Sequence, residues 1–184
     1  TIAKKTYTGI SDIELSPEGA EQARQLKQFA RSINPDICYC SPLKRCRRTL
    51  ALMESTVETI QIEKNLKEID FGQWEGLTLD KVLERDLPNF NRWVRQGNDF
   101  TFPGGDCIKT FSARVADWFN SLKKRDHEEV LIISHGGVIR HGLCHLLGLG
   151  AEHAENLYIT EAGVAHVSVY DGYAVLKSLT GEGF

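Results

Sequence analysis

Three short stretches of this 184-residue chain carry residue types that can handle a phosphate group. The first is Ser134-His135-Gly136-Gly137, directly after the apolar run Val130-Leu131-Ile132-Ile133. A helix starting there offers unpaired backbone N–H groups and a positive dipole end to an anion. Glycines let the backbone come close, and His135 can donate a hydrogen bond to a phosphoryl oxygen. The competing reading is a histidine that caps its own turn. The second stretch is Ser41-Pro42-Leu43-Lys44-Arg45, where Arg45 can grip a phosphate with two parallel bonds. A solvated basic face made of Arg45, Arg47 and Arg48 is the alternative there. The third is residues 66–76, in which Glu68 sits among apolar and aromatic neighbours. That setting raises a carboxyl pKa and suits a general acid. Asp70 and Glu75 compete for the role, and spacing does not choose among the three.

The elements that must hold these residues are legible in outline. A helix is predicted to start after Ser16, with Pro17 in its first turn and Ala20, Ala23, Leu26 and Ala30 on one face. A buried strand over 37–40 precedes a basic helix over 43–53, and 59–62 reads as another strand. Residues 66–76 form a structured loop, followed by helical segments at 79–84 and 90–95. Phe102-Pro103-Gly104-Gly105 breaks the pattern. Ile108, Phe111, Val115, Trp118 and Leu122 then mark an amphipathic helix. The apolar strand 130–133 is of the kind found in parallel sheets, and it leads into a helix over 138–147. Two strands, 164–170 and 173–179, form a hairpin around Asp171-Gly172. Strands interleaved with helices imply one α/β domain over residues 1–184. Such sheets bind ligands at the carboxyl ends of their strands, where both His135 and Arg45 fall.

A net charge of −3 gives no basic footprint for nucleic acid. No apolar run approaches the roughly 18 residues of a membrane span, and no leader-like segment opens the chain. A soluble cytoplasmic protein with no membrane or nucleic-acid partner is expected. Five cysteines (Cys38, Cys40, Cys46, Cys107, Cys144) form no disulfide framework or Cys-x-x-Cys pair, and a reducing compartment suits them. Met53, Phe90 and Trp93 read as ordinary core residues, with a place in the pocket lining as the alternative.

Five pieces in order resemble the histidine phosphatase superfamily, the phosphoglycerate-mutase-like group. They are Tyr7-x-Gly9-x-x-Asp12-x-x-Leu15-x-x-x-Gly19-x-x-Gln22-Ala23, Ser41-Pro42-Leu43-x-Arg45, Leu66-x-Glu68-x-x-Phe71-Gly72-x-Trp74-Glu75-Gly76, Pro103-Gly104-Gly105 with Arg114-Val115, and Ser134-His135-Gly136-Gly137-Val138-Ile139-Arg140. The resemblance implies a three-layer α/β/α fold with a mostly parallel central sheet. It also implies two-step phosphoryl transfer through a phosphohistidine. Family members begin with a strand ending in Arg-His-Gly or Arg-His-Thr, whose histidine is the nucleophile. Thr1 falls just beyond that motif, so a first strand of about ten residues is expected to be missing before it. By family position Arg45 and His135 surround the phosphoryl group and Glu68 is the general acid and base. Thr1, Thr8, Gly9 and Gly136 are implied phosphate contacts. The scheme needs no metal and no cofactor, and the partner is a small phosphate monoester; a homodimer is a further expectation.

Within the family, the short chain, the Gly-Gly after His135 and Phe71 in place of a tyrosine favour a phosphatase over a mutase. The pattern is most similar to α-ribazole phosphatases of cobalamin biosynthesis. A phosphoglycerate mutase and a sugar-bisphosphate phosphatase are the alternatives within the family. Two features depart from the family pattern: Lys4 and Lys5 lie near an expected asparagine, and Asp106 replaces a frequent Glu. Two readings come from other classes. One is a non-catalytic phosphate binder. The other is a metalloprotein using His141 and His145, one helical turn apart, with Cys144 or His153.

Overall fold

Ser16 opens the first helix as the sequence predicts. Its hydroxyl accepts from the Gly19 N–H and Pro17 occupies the first turn of α1 (Pro17–Gln25). The expected single helix breaks at Leu26 and resumes as α2 (Lys27–Ser32). Ala23, Leu26 and Ala30 are all buried nonetheless, so the apolar stripe survives the break. The structure, a computed structural model, describes residues 6–181. Thr1, Lys4 and Lys5, and with Thr1 its implied phosphate contact, lie outside the described residues.

Strand β1 (Ile37–Cys40) is followed by α3 (Lys44–Leu52) and β2 (Ile60–Ile62). Residues 64–66 make one 3₁₀ turn that ends where the predicted structured loop begins, and 72–74 make another within it. The two helical segments expected next are one kinked helix, α4 (Leu79–Gln96). Its backbone leaves helical geometry at Asp86 (φ −145°, ψ 41°), two residues before Pro88, which has no N–H to continue the helix. The Asp86 carboxylate there accepts the Trp74 indole N–H at 2.8 Å and the Asn89 amide at 2.8 Å. Then come α5 (Ile108–Leu122), β3 (Val130–Ile133) and α6 (Gly136–Leu146), which starts two residues earlier than expected. The hairpin strands are β4 (Val164–Tyr170) and β5 (Tyr173–Thr180), with Gly172 supplying a φ of +84° at the turn.

Among the described residues the parallel sheet has the order β2-β1-β3, and β4 and β5 form a separate antiparallel pair. Alternate side chains of β1 point to opposite faces, as the strand period of two requires. Ile37 and Tyr39 enter a core with Leu66, Trp74, Phe102, Val115 and Trp118. Cys38 and Cys40 enter the other, with Leu26, Ala30, Cys46, Met53 and Ile133. The sheet is therefore a middle layer with helices on both faces. Phe90 and Trp93 pack against the first core and Met53 lies inside the second, in line with their reading as core residues.

Candidate active site

Two adjacent parallel strands end side by side. Cys40 pairs with Ile133 in register, and the Ser41 N–H donates to the Ile133 carbonyl at 2.9 Å. The residues just past those ends are consequently neighbours. Ser41 Oγ lies 2.8 Å from His135 Nε2, and Arg45 Nε donates to His135 Nδ1 at 3.1 Å. His135 precedes α6 but makes no side-chain capping bond, so the self-capping alternative fails. Arg45 is half-buried whereas Arg47 and Arg48 are exposed, so the basic helix face is real but excludes Arg45.

These bonds fix the protonation of the ring. A guanidinium N–H can only donate, so Nδ1 must be the acceptor and the proton sits on Nε2, donating to Ser41 Oγ. Burial, with Arg45 and Arg114 nearby, lowers the His135 pKa to about 3. The ring is neutral across physiological pH. Ser41 cannot be a serine-hydrolase nucleophile in this arrangement, because its partner nitrogen already carries a proton. We expect nuclear magnetic resonance to find His135 as the Nε2–H tautomer with no titration between roughly pH 5 and 8. A midpoint near 6.5 would contradict this geometry.

The three competing acids sit in different surroundings. Glu68 is buried at 7% exposure, with Oε2 accepting the Gly137 N–H at 2.9 Å at the start of α6. Its Oε1 accepts the Ile69 N–H at 3.0 Å. Burial raises the Glu68 pKa despite those bonds and the opposing pull of Arg140 and Arg45. Asp70 instead closes a local turn by accepting the Gly72 N–H at 2.7 Å. Glu75 is held by the loop at residues 9–11, accepting from the Gly9, Ile10 and Ser11 N–H groups. Ser134 Oγ donates to the Leu66 carbonyl at 2.8 Å, which ties the Glu68 segment to the end of β3.

Gly136 and Gly137 differ in what surrounds them. Nothing lies within 4 Å of a Cβ built on Gly136, leaving room beside the helix N-terminus. A Cβ on Gly137 would meet Glu68 Oε1 at 2.4 Å. Gly137→Ala is therefore expected to fold but to push the carboxyl aside, lowering kcat about tenfold or more. Circular dichroism and phosphate-release assays check the two halves of that statement.

The other implied phosphate contacts are differently engaged. The Gly9 N–H goes to Glu75, and its carbonyl accepts from Arg45 Nη2 at 2.6 Å. Thr8 Oγ1 lies 2.9 Å from Thr6 Oγ1. The histidines of the metal alternative have other partners. His141 is buried edge-on to Phe111, and His145 Nε2 lies 2.8 Å from Asn120 Oδ1. Among the described residues no group of three His, Cys, Asp or Glu is placed to hold a metal ion.

The model of the histidine phosphatase superfamily (branch 1) matches residues 2–181. The chain belongs to that superfamily. Phosphoserine phosphatase 1 of Hydrogenobacter thermophilus is 33% identical over 145 residues, 78% of this chain and 69% of the relative. The adenosylcobalamin/α-ribazole phosphatase of Escherichia coli is 26% identical over 175 residues, covering 94% of this chain and 86% of its own. The crystal structure of the α-ribazole phosphatase from Shigella flexneri superposes with a TM-score of 0.87 at 26% identity, over 95% of this chain and 87% of that one. Phosphoglycerate mutases are similar too, one from Cytophaga hutchinsonii being 30% identical over 176 residues, 92% of this chain and 78% of the relative.

Several residues of this histidine phosphatase site were not assigned a role from sequence. Ser41 is fully buried against His135, and Cys46 Sγ lies 3.5 Å from His135 Nε2 while donating to the Ser134 carbonyl at 3.3 Å. Burial pushes the Cys46 thiol up to about 12, so it is an inert packing group here. Arg114 Nη1 donates to the Asn65 carbonyl, and Arg140 pairs with Glu155 at 3.2 Å. Both arginines stand in quoted motifs, but only the fold brings their charges near Glu68.

Proposed function

We propose that the full-length protein hydrolyses small phosphate monoesters through a phosphohistidine intermediate, without a metal. One observation carries this reading. Arg45, neutral His135 and buried Glu68 converge where β1 and β3 end, beside the open N-terminus of α6. Arg45 supplies fixed positive charge for the transferring phosphoryl group. Neutral His135, whose Nε2–H goes to Ser41, accepts the Arg45 Nε–H and holds that guanidinium in place, rather than donating to the phosphoryl oxygen as expected from sequence. Glu68, whose pKa burial raises, gives a proton to the leaving alcohol as the phosphorus–oxygen bond breaks and the phosphorus–nitrogen bond forms. In the second step water attacks phosphorus, its proton passes to Glu68, and the nucleophile is released. The nucleophilic histidine of the scheme is not among the described residues.

The substrate we favour is α-ribazole 5′-phosphate, on the similarity over nearly the whole chain. Phosphoserine is the second reading, because a phosphoserine phosphatase is the 33%-identical relative. Phosphate release in excess EDTA from α-ribazole phosphate, phosphoserine, p-nitrophenyl phosphate and 3-phosphoglycerate separates them, with His135→Ala alongside. Turnover that survives EDTA and collapses in the variant supports the mechanism, and the preferred ester names the substrate. No release from any ester, with phosphate still bound, moves the non-catalytic binder to the front. Exposed Ile60 and Ile62 on β2 support a homodimer, which light scattering checks. Five free cysteines support a cytoplasmic location. Among the described residues no helix is long and apolar enough to cross a membrane.

A further inference from the structure

The Glu75 carboxylate fills a concavity made by successive backbone N–H groups. Its Oε1 accepts from Gly9 N at 3.0 Å, Ile10 N at 3.1 Å and Phe71 N at 3.2 Å. Its Oε2 accepts from Ser11 N at 3.3 Å and from the Ser11 hydroxyl. Backbone donors gathered in this way form an anion-binding nest. Among the described residues no cation pairs with Glu75, so these N–H groups are what hold its charge. The opposite side of the same loop faces Arg45. The Gly9 and Ser11 carbonyls accept from Arg45 Nη2 at 2.6 Å and Nη1 at 2.8 Å, and Arg45 Nε goes on to His135. The loop has little freedom to rearrange, since a Cβ on Gly9 would meet the Ile69 carbonyl oxygen at 1.9 Å.

We infer that Glu75 is a positioning residue: it shapes the loop at residues 9–11 so that two carbonyls aim the Arg45 guanidinium at the phosphoryl group. The inference rests on the phosphate-handling reading of Arg45 given above. A guanidinium tethered at both terminal nitrogens keeps its two remaining N–H bonds in a fixed direction, which is what a planar fork needs to meet phosphate oxygens. Glu75 never touches the substrate in this arrangement.

The test is the affinity of the full-length protein for inorganic phosphate, measured both by calorimetry and as competitive inhibition, in Glu75→Gln. The amide keeps the shape but sets an N–H donor against the backbone N–H groups. Phosphate affinity should fall roughly tenfold to a hundredfold, and KM should rise. Ser11→Ala, which keeps Glu75 and removes one donor, should fall roughly threefold in the same direction. In an Arg45→Lys background the Glu75→Gln effect should largely vanish, because coupled residues do not add. A purely structural Glu75 would lower the melting temperature or the active fraction while leaving phosphate affinity and KM unchanged; that result overturns the inference. Full additivity with Arg45→Lys overturns it as well. Wild-type protein that binds no phosphate removes the phosphate reading itself, and this inference with it.

Discussion

Arg45→Ala is expected to lower kcat/KM for any phosphate ester about a thousandfold, the loss seen when a preorganised charged donor is removed from a transition state. The size follows from how completely the side chain is committed. Nη1 and Nη2 are tethered to Ser11 and Gly9 carbonyls and Nε to His135, so the remaining N–H groups need little reordering to meet developing negative charge. Arg45→Lys should recover little, because an ammonium on a flexible stem cannot reach three separated acceptors at once. Arg45→Ala should also raise the His135 pKa, since the guanidinium is one of the influences that depress it, while burial keeps it below the ordinary value. Steady-state kinetics and histidine resonances measure the two effects. Activity within tenfold of wild type would remove Arg45 from the phosphoryl site.

The parts of this molecule that could be read from sequence are those whose causes are local. Ser16-Pro17 specifies a helix start because the cap and the fixed proline φ act within one turn. The run Val130–Ile133 could be assigned to a parallel strand because an unbroken apolar segment of that length has few other uses, and Gly136 follows as its helix N-terminus. Even so, α6 began two residues before the expected position, since His135 rather than a later residue takes the cap. The helical segments expected at 79–84 and 90–95 are the two halves of α4 on either side of the non-helical Asp86; what sequence does not show is that the Asp86 carboxylate at the kink is held by the Trp74 indole, twelve residues away. Glu68, Asp70 and Glu75 were indistinguishable by composition because their roles are set by partners far along the chain. Gly137, 69 residues from Glu68, makes Glu68 the buried acid, and Gly9, 66 residues from Glu75, makes Glu75 a loop anchor. The family resemblance points to Glu68, which is the buried acid of the three, but it gives no hint of what Glu75 does. Ser41 illustrates the same limit. A serine before proline reads as a turn residue, and its fully buried contact with His135 exists only because β1 and β3 pair in register.

Glu68→Gln is the second large effect expected, and its signature is a dependence on the leaving group. An alkyl alcohol must be protonated as it departs, so loss of the acid should lower kcat for α-ribazole phosphate or phosphoserine by about 10² to 10⁴. A nitrophenolate leaves as a stable anion, so hydrolysis of p-nitrophenyl phosphate should suffer far less in the same variant. Equal losses on both classes would mean that Glu68 shapes the pocket without moving a proton. Stability supplies an independent check with the opposite sign. The folded-state pKa of Glu68 is raised by burial, so the folded protein binds its proton more tightly than the unfolded chain does. The stabilisation from that proton is fully present below the ordinary carboxylate pKa of about 4.5 and is lost as pH rises through the folded value. The melting temperature of Glu68→Gln relative to wild type should therefore climb as pH is raised from acid toward neutrality. A carboxyl retained at a cost to stability, beside the helix terminus that would hold phosphate, is what a site selected for proton transfer requires.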